Sequence, residues 1–230
     1  MKCLCLTVVL GLFLAAPALG LTYLGTPTTV LKTGEWAVGA SYAKSEQDLK
    51  LSGGFDIDDL EEESVLGRVA VGLVDKRMEV FGLFGTADLE QDEAEMNGEF
   101  LVGFGARVTT NIGDDLDWGV VGQFTYFTRE DAGRVADVWT PFEMSLFDVQ
   151  IGVGPCWRPG PFMLYGGPMV HLVEGDIDTE IAGDFDVNQE SWFGAYIGGG
   201  VELAKHLGIT GEAQGTGDAW ALAASIMWRF

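Results

Sequence analysis

From residue 34 onward the chain alternates apolar residues with small or charged ones at a period of two, the repeat of a β-strand whose faces meet different surroundings. Val65, Gly67, Val69, Val71 and Leu73 oppose Leu66, Arg68, Ala70 and Gly72. Phe100, Val102, Phe104, Ala106 and Val108 oppose Leu101, Gly103, Gly105 and Arg107. The last segment sets Trp220, Leu222, Ala224, Ile226, Trp228 and Phe230 against Ala221, Ala223, Ser225, Met227 and Arg229. One face is large and apolar, and the other is mostly Gly, Ala and Ser with an occasional charge. In a soluble barrel or sandwich that second face would meet water and be rich in Lys, Glu, Thr and Ser. Small residues suit instead the crowded interior of a narrow barrel. The apolar face is then left to meet lipid, which is the alternation of a transmembrane β-barrel.

This template places strands near residues 34–51, 55–73, 78–90, 96–110, 116–129, 136–154, 162–181, 185–203, 208–215 and 218–230. The expected fold is all-β: a closed, antiparallel, up-and-down barrel of ten strands. Eight is the competing count if the first two segments lie outside it. The reversals fall into two alternating sets. One comprises Asp75-Lys76-Arg77, Asn111 to Asp115, Arg158-Pro159-Gly160-Pro161 and Lys205-His206-Leu207, all short. The other surrounds Ser52-Gly53-Gly54, Gln91 to Ala94, Asp131-Ala132-Gly133, Ala182-Gly183-Asp184 and Gly215-Thr216-Gly217. Of the 35 acids, 25 cluster around the second set. Several strands there exceed the ~9–11 residues that a tilted strand needs to cross hydrocarbon. Acidic hairpins should therefore project beyond the membrane, on the extracellular side, with the short turns periplasmic. Asp176 to Ile181 fits such a hairpin, one face of it lined with carboxylates.

Residues 1–20 read differently. A single Lys2 precedes the apolar run CLCLTVVLGLFLAA, followed by Pro17-Ala18-Leu19-Gly20 with small residues where a signal peptidase cuts. The expectation is a cleaved secretory signal over 1–20 and one barrel domain over 21–230. Cys3 and Cys5 would leave with the signal, and Cys156 alone cannot make an internal disulfide. Composition narrows function further. The 230 residues are 47% hydrophobic, enough to bury a core, with 33 glycines and a net charge of -22. So acidic a chain, with a pI near 4.1, is a poor partner for nucleic acid.

The closing sequence GAYIGGGVELAKHLGITGEAQGTGDAWALAASIMWRF resembles the final strands of the small outer-membrane β-barrels of diderm bacteria, the OmpA-like transmembrane domain and its relatives. The resemblance is one of pattern over residues 34–230, with two more strand-like segments than the eight-strand members. It implies residence in the outer membrane, with outer-membrane lipid and lipopolysaccharide around the barrel. It also implies handling by periplasmic chaperones and by the barrel-assembly machinery, which in that family reads a terminal aromatic and alternate residues before it. The matching positions are Ile226, Trp228 and Phe230.

Candidate chemistry is sparse. Glu35, Arg68, Arg107, Asp117, Asp148, Glu202, Glu212 and Arg229, with Gln123 and Gln150, fall on the small-residue face and would point into the lumen. Ionisable groups at membrane depth are costly unless paired, so Arg68 and Arg107 should bind carboxylates there. Such a network either plugs the barrel or lines a narrow cation-preferring pore. His171 has Glu174 three residues on, a conceivable dyad for a lipid- or peptide-cleaving barrel, but no nucleophile motif accompanies it. His206 belongs to a short turn. Asp56 to Glu63 clusters hard oxygens without the EF-hand pattern, leaving at most loose divalent binding at the acidic loops. Trp36 and Tyr42, Trp118 and Tyr126, Trp192, and Trp228 with Phe230 suit two interfacial girdles. The sequence thus points to a non-enzymatic outer-membrane barrel of structural or surface-interaction role, with no cofactor and no resident metal. A narrow channel, a barrel enzyme and a soluble ligand-binding barrel follow in that order.

Overall fold

The computed structural model describes residues 21–51, 55–91, 94–135, 138–179, 183–189 and 191–230. The expected signal segment lies outside them. Among the described residues eleven strands form one antiparallel sheet: β1 (Trp36–Leu51), β2 (Phe55–Val74), β3 (Met78–Gln91), β4 (Ala94–Asn111), β5 (Leu116–Val135), β6 (Val138–Trp157), β7 (Phe162–Thr179), β8 (Gly183–Asn188), β9 (Phe193–Ala204), β10 (Leu207–Gly215) and β11 (Ala219–Arg229). Pairing of β11 with β1, from Ala37↔Arg229 to Gln47↔Ala219, closes the sheet into a barrel. No helix among the described residues is long and apolar enough to cross a membrane.

The expected ten segments are present, with the eighth broken in two. Strand β7 pairs with β9 along its first half (Phe162↔Val201 to Val170↔Phe193) and with β8 along its second (Glu174↔Asn188 to Thr179↔Gly183). Between β8 and β9 the chain leaves the ladder. Above the short β10–β11 hairpin, β8 reaches β1 directly through Lys50↔Asn188 and Leu51↔Val187. The barrel therefore has ten strands at its base and eight at the long-hairpin rim.

Outward positions carry the apolar belt. Exposed residues run from Trp36, Trp118, Trp157, Phe162, Trp228 and Phe230 at the short-turn end to Tyr42, Phe100, Tyr126, Trp192 and Trp220 at the other. Between them lie Phe104, Val120, Ile151 and Ile197. In water such a continuous belt would be a severe liability; in a bilayer it is the solvated surface. Aromatic rings with polar edges cap both margins, as interfaces favour.

Inward positions are layered, and the pairing register shows the layers. Leu66↔Gly85, Gly85↔Leu101, Leu101↔Phe127 and Phe127↔Leu146 make one row of large buried apolar groups. Two residues nearer the short turns, Arg68↔Leu83, Gly103↔Thr125, Thr125↔Asp148 and Asp148↔Val173 make a mixed row. The next, with Phe81, Gln123, Gln150 and His171, is mostly polar. The one after holds Glu79, Arg107, Val121 and Met169.

Candidate functional site

The polar rows surround a stretch of chain that the strand pattern left unassigned. Residues 21–31 run inside the barrel, and Leu21, Thr22, Tyr23, Leu24, Thr28, Thr29 and Leu31 are all buried. The order of contacts gives the path. Thr22 Oγ1 accepts from Gln123 Nε2 at 2.9 Å in mid-lumen, and Gln214 Nε2 donates to the Thr22 carbonyl at 2.7 Å. Lower down, Glu212 accepts the backbone amides of Leu24 (3.0 Å) and Gly25 (3.0 Å). Arg107 donates to the Leu24 carbonyl and Arg68 to the Tyr23 carbonyl, each at 3.3 Å. Thr29 bonds through its amide to Thr109 Oγ1 at 2.8 Å and through its hydroxyl to Glu79 at 2.6 Å. Near the short-turn end Thr28 meets Arg158. The segment then leaves along β2, where the Lys76 amide donates to the Leu31 carbonyl and the Gly34 amide to the Gly72 carbonyl.

Local chemistry explains why this stretch is neither strand nor helix. Gly25 adopts φ of +83°, in the left-handed region that favours glycine, and a Cβ there would press on Arg107 and the Tyr23 ring. Pro27 removes a donor that the lumen would otherwise have to satisfy. The wall yields where the segment passes: a Cβ on Gly72 would collide with the Lys32 carbonyl, and one on Gly119 with that of Pro27. An irregular backbone in a low-dielectric interior must find partners for its amides and carbonyls. The barrel's polar side chains supply many of them.

The expected lumen residues separate into two groups. Arg68, Arg107, Asp148 and Glu212 are buried in the lumen, as are Gln123 and Gln150. Arg107 forms its ion pair with Glu79, at 2.7 Å, a carboxylate the sequence reading did not single out. Arg68 has no carboxylate partner among the described residues; it lies over the Phe81 ring at 4.1 Å and donates to Gln123 Oε1 at 3.2 Å. The other four lie at the short-turn rim. Asp117 pairs with Arg158. Glu202 and Arg229 pair with each other at 2.8 Å, exposed to solvent. Glu35 accepts the Lys32 amide at 2.9 Å, and this bond holds its carboxyl below the usual range.

His171 does not face Glu174. An odd separation puts the two on opposite faces of β7, and Glu174 is exposed whereas His171 is fully buried. Its neighbour is Asp148 across the sheet, with Nε2 3.0 Å from Oδ1 but outside hydrogen-bond geometry. Asp148 also accepts from Thr125 and Gln150. In the acidic hairpins Lys44 bridges Glu61 (2.6 Å) and Glu63 (3.6 Å). The side chains of Asp56, Asp58 and Asp59 lie outside those described. His206 stacks on Trp228 with ring centres 6.3 Å apart. Ile226, Trp228 and Phe230 are exposed along the closing seam.

No protein-family model matches the chain, and no curated protein matches its sequence. Solved structures do match its shape. The translocator domain of the autotransporter NalP from Neisseria meningitidis superposes with a TM-score of 0.52 at 11% identity, covering 86% of this chain and 89% of its own. The outer membrane protease OmpT from Escherichia coli (TM-score 0.49, 8% identity, 85% and 97% covered) is also similar. So is an outer membrane channel from Pseudomonas putida F1 (0.49, 12%, 91% and 100%). The closed antiparallel sheet and the NalP superposition give the chain the fold of an outer-membrane β-barrel, a closed ten-stranded transmembrane barrel. The likeness is one of fold, and the resemblance to OmpA-like barrels stays at that level.

Proposed function

We propose that this chain is an integral outer-membrane barrel with a structural or surface-interaction role, closed to solutes and without enzymatic activity. The observation that carries the reading is the filled lumen. Residues 21–31 occupy its short-turn half, and the row of Leu66, Leu101, Phe127 and Leu146 fills the part beyond. A conducting pore needs a continuous wet path. The fully buried His171–Asp148 pair offers a substrate neither access nor a nucleophile, so it serves the packing of the lumen. In this reading the short turns face the periplasm and the acidic hairpins face outward. Lipopolysaccharide would surround the belt, and loosely held divalent cations would bridge carboxylates to lipid phosphates. Periplasmic chaperones and the barrel-assembly machinery would deliver the chain, using Ile226, Trp228 and Phe230.

The test combines two measurements on the folded chain. A compact gel band that shifts on boiling, with no conductance steps in planar bilayers, is the expected result. Regular steps of stable amplitude would overturn the closed reading in favour of a narrow channel. Folding without detergent, and no band shift, would overturn the membrane reading altogether.

A further inference from the structure

A cavity of ≈ 300 Å³ lies between the N-terminal segment and the wall formed by β1, β7 and β9–β11. Gly160, Pro161, Arg158 and Arg229 place its mouth at the short-turn end, and Tyr23, Thr210 and Arg68 its floor in mid-lumen. Leu31, Ala37, Met163 and Met227 make its inward-facing apolar wall. Both methionines are only partly buried against the core, and such flexible, polarisable side chains adapt to an occupant.

Four arginines border this space, and three have an anion. Arg107 holds Glu79, Arg158 holds Asp117 and Arg229 holds Glu202. Arg68 differs. It is 4% exposed and its two acceptors are the neutral Tyr23 carbonyl and Gln123 amide; its Nε, like that of Arg107, has no hydrogen-bond partner. Of the other buried carboxylates, Glu212 is taken up by the Leu24 and Gly25 amides and by Gln214, and Asp148 by Thr125 and Gln150. A desolvated guanidinium without a contacting anion is costly, and a carboxylate is the planar group its fork accepts best.

The geometry points to this cavity as a binding site for a monocarboxylate with an unbranched apolar tail, entering from the short-turn end. The carboxylate meets Arg68 at the floor, and the tail lies along Leu31, Met163 and Met227 toward the mouth. The volume stands at the lower end for small-ligand sites and suits about ten to twelve heavy atoms. Burial of the tail and a charge-assisted bond to Arg68 are separable contributions. A neutral or cationic head on the same tail keeps the first and loses the second. This inference goes beyond the closed-barrel reading and does not need a path through the lumen.

The test uses the full chain folded in lipid nanodiscs with ¹³C-methyl methionine, titrated with sodium decanoate below its micelle concentration. Saturable shifts of the Met163 and Met227 methyls are expected, with decanol and decyltrimethylammonium at least tenfold weaker. Arg68→Gln should weaken decanoate at least tenfold while leaving decanol unchanged. Should that variant lose its heat-shifted band, Met227→Trp, which fills the cavity from its wall, should abolish the Met163 shift. Non-saturable shifts, equal affinity for the cationic amphiphile, or an unaltered decanoate response in either folded variant would overturn the site.

Discussion

The Glu79–Arg107 pair and the Glu202–Arg229 pair contain the same chemical groups at similar distances, 2.7 and 2.8 Å, yet they differ in what surrounds them. Glu79 and Arg107 are 3% and 5% exposed, and Glu79 also holds the Thr29 hydroxyl. Removing Glu79 strands a buried guanidinium and frees part of the plug, so Glu79→Ala should cost about 3–5 kcal/mol. Glu202→Ala, at the wet rim, should cost at most about 1 kcal/mol. Urea titration of the heat-shifted band for the two variants measures the difference. Equal midpoints would mean that the lumen pair is as well hydrated as the rim pair. Glu35 adds a pH dependence. Its carboxyl is held low by the Lys32 amide, so its contribution is present above the unfolded carboxylate range and disappears as pH falls through the folded value. Wild type and Glu35→Gln should therefore differ most at neutral pH and converge in acid, read from melting of the band at a series of pH values.

At the scale of elements, the break between β8 and β9 is held by one carboxylate. Asp218, at the β10–β11 turn, accepts the Ser191 amide at 2.7 Å and the Gln189 side chain at 3.1 Å, and its own carbonyl receives the Asp48 amide at 2.8 Å. This knot lies where the barrel narrows from ten strands to eight. Asp218→Ala leaves the Ser191 amide without that acceptor and should destabilise the fold by about 1–3 kcal/mol. It should also open the 189–192 stretch to protease before any other part of the wall, and cleavage first at the short turns would contradict this. The ten segments were legible in the sequence because each crossing strand has its own alternation of Val, Phe and Trp against Gly, Ala and Ser. The break at Gln189–Trp192 was not, because it follows from pairing with β1 across a shorter hairpin, a tertiary event. The partner of His171 was equally hidden: strand parity excludes Glu174, but only the β6–β7 register, which sets Gln150 opposite His171, brings Asp148 beside it on the diagonal. Residues 21–31 gave a fainter sign. Leu21, Tyr23, Leu24 and Leu31 are too apolar for a linker in water, but without a period they name no element, and their burial exists only once the barrel has closed.

For the whole molecule, the proposed closure of the lumen rests on two layers in series, and their different chemistry makes them separable. The lower is the polar-bonded segment of residues 21–31, with Leu21, Tyr23, Leu24 and Leu31 each contributing about 1.5–3 kcal/mol of burial besides its hydrogen bonds. The upper is the row of Leu66, Leu101, Phe127 and Leu146, which belongs to the wall and stays when the segment is gone. Deleting residues 21–31 should thus create a wet pit open to the short-turn side, admit small probes to Arg68 and Glu79, and still pass no steady current. Replacing Leu101 and Phe127 by glycine should remove the upper barrier and leave the segment in place, again without steady current. The two changes together leave a lower lumen lined by Gln123, Gln150, Asp148 and the arginines, with only Leu66 and Leu146 left of the apolar row above it, and regular conductance steps should appear. Each variant is first checked for its heat-shifted band, since destabilised barrels leak irregularly. Steady conductance from the deletion alone would show that the apolar row does not span the lumen, and silence from the combined variant would place a further seal among the acidic hairpins.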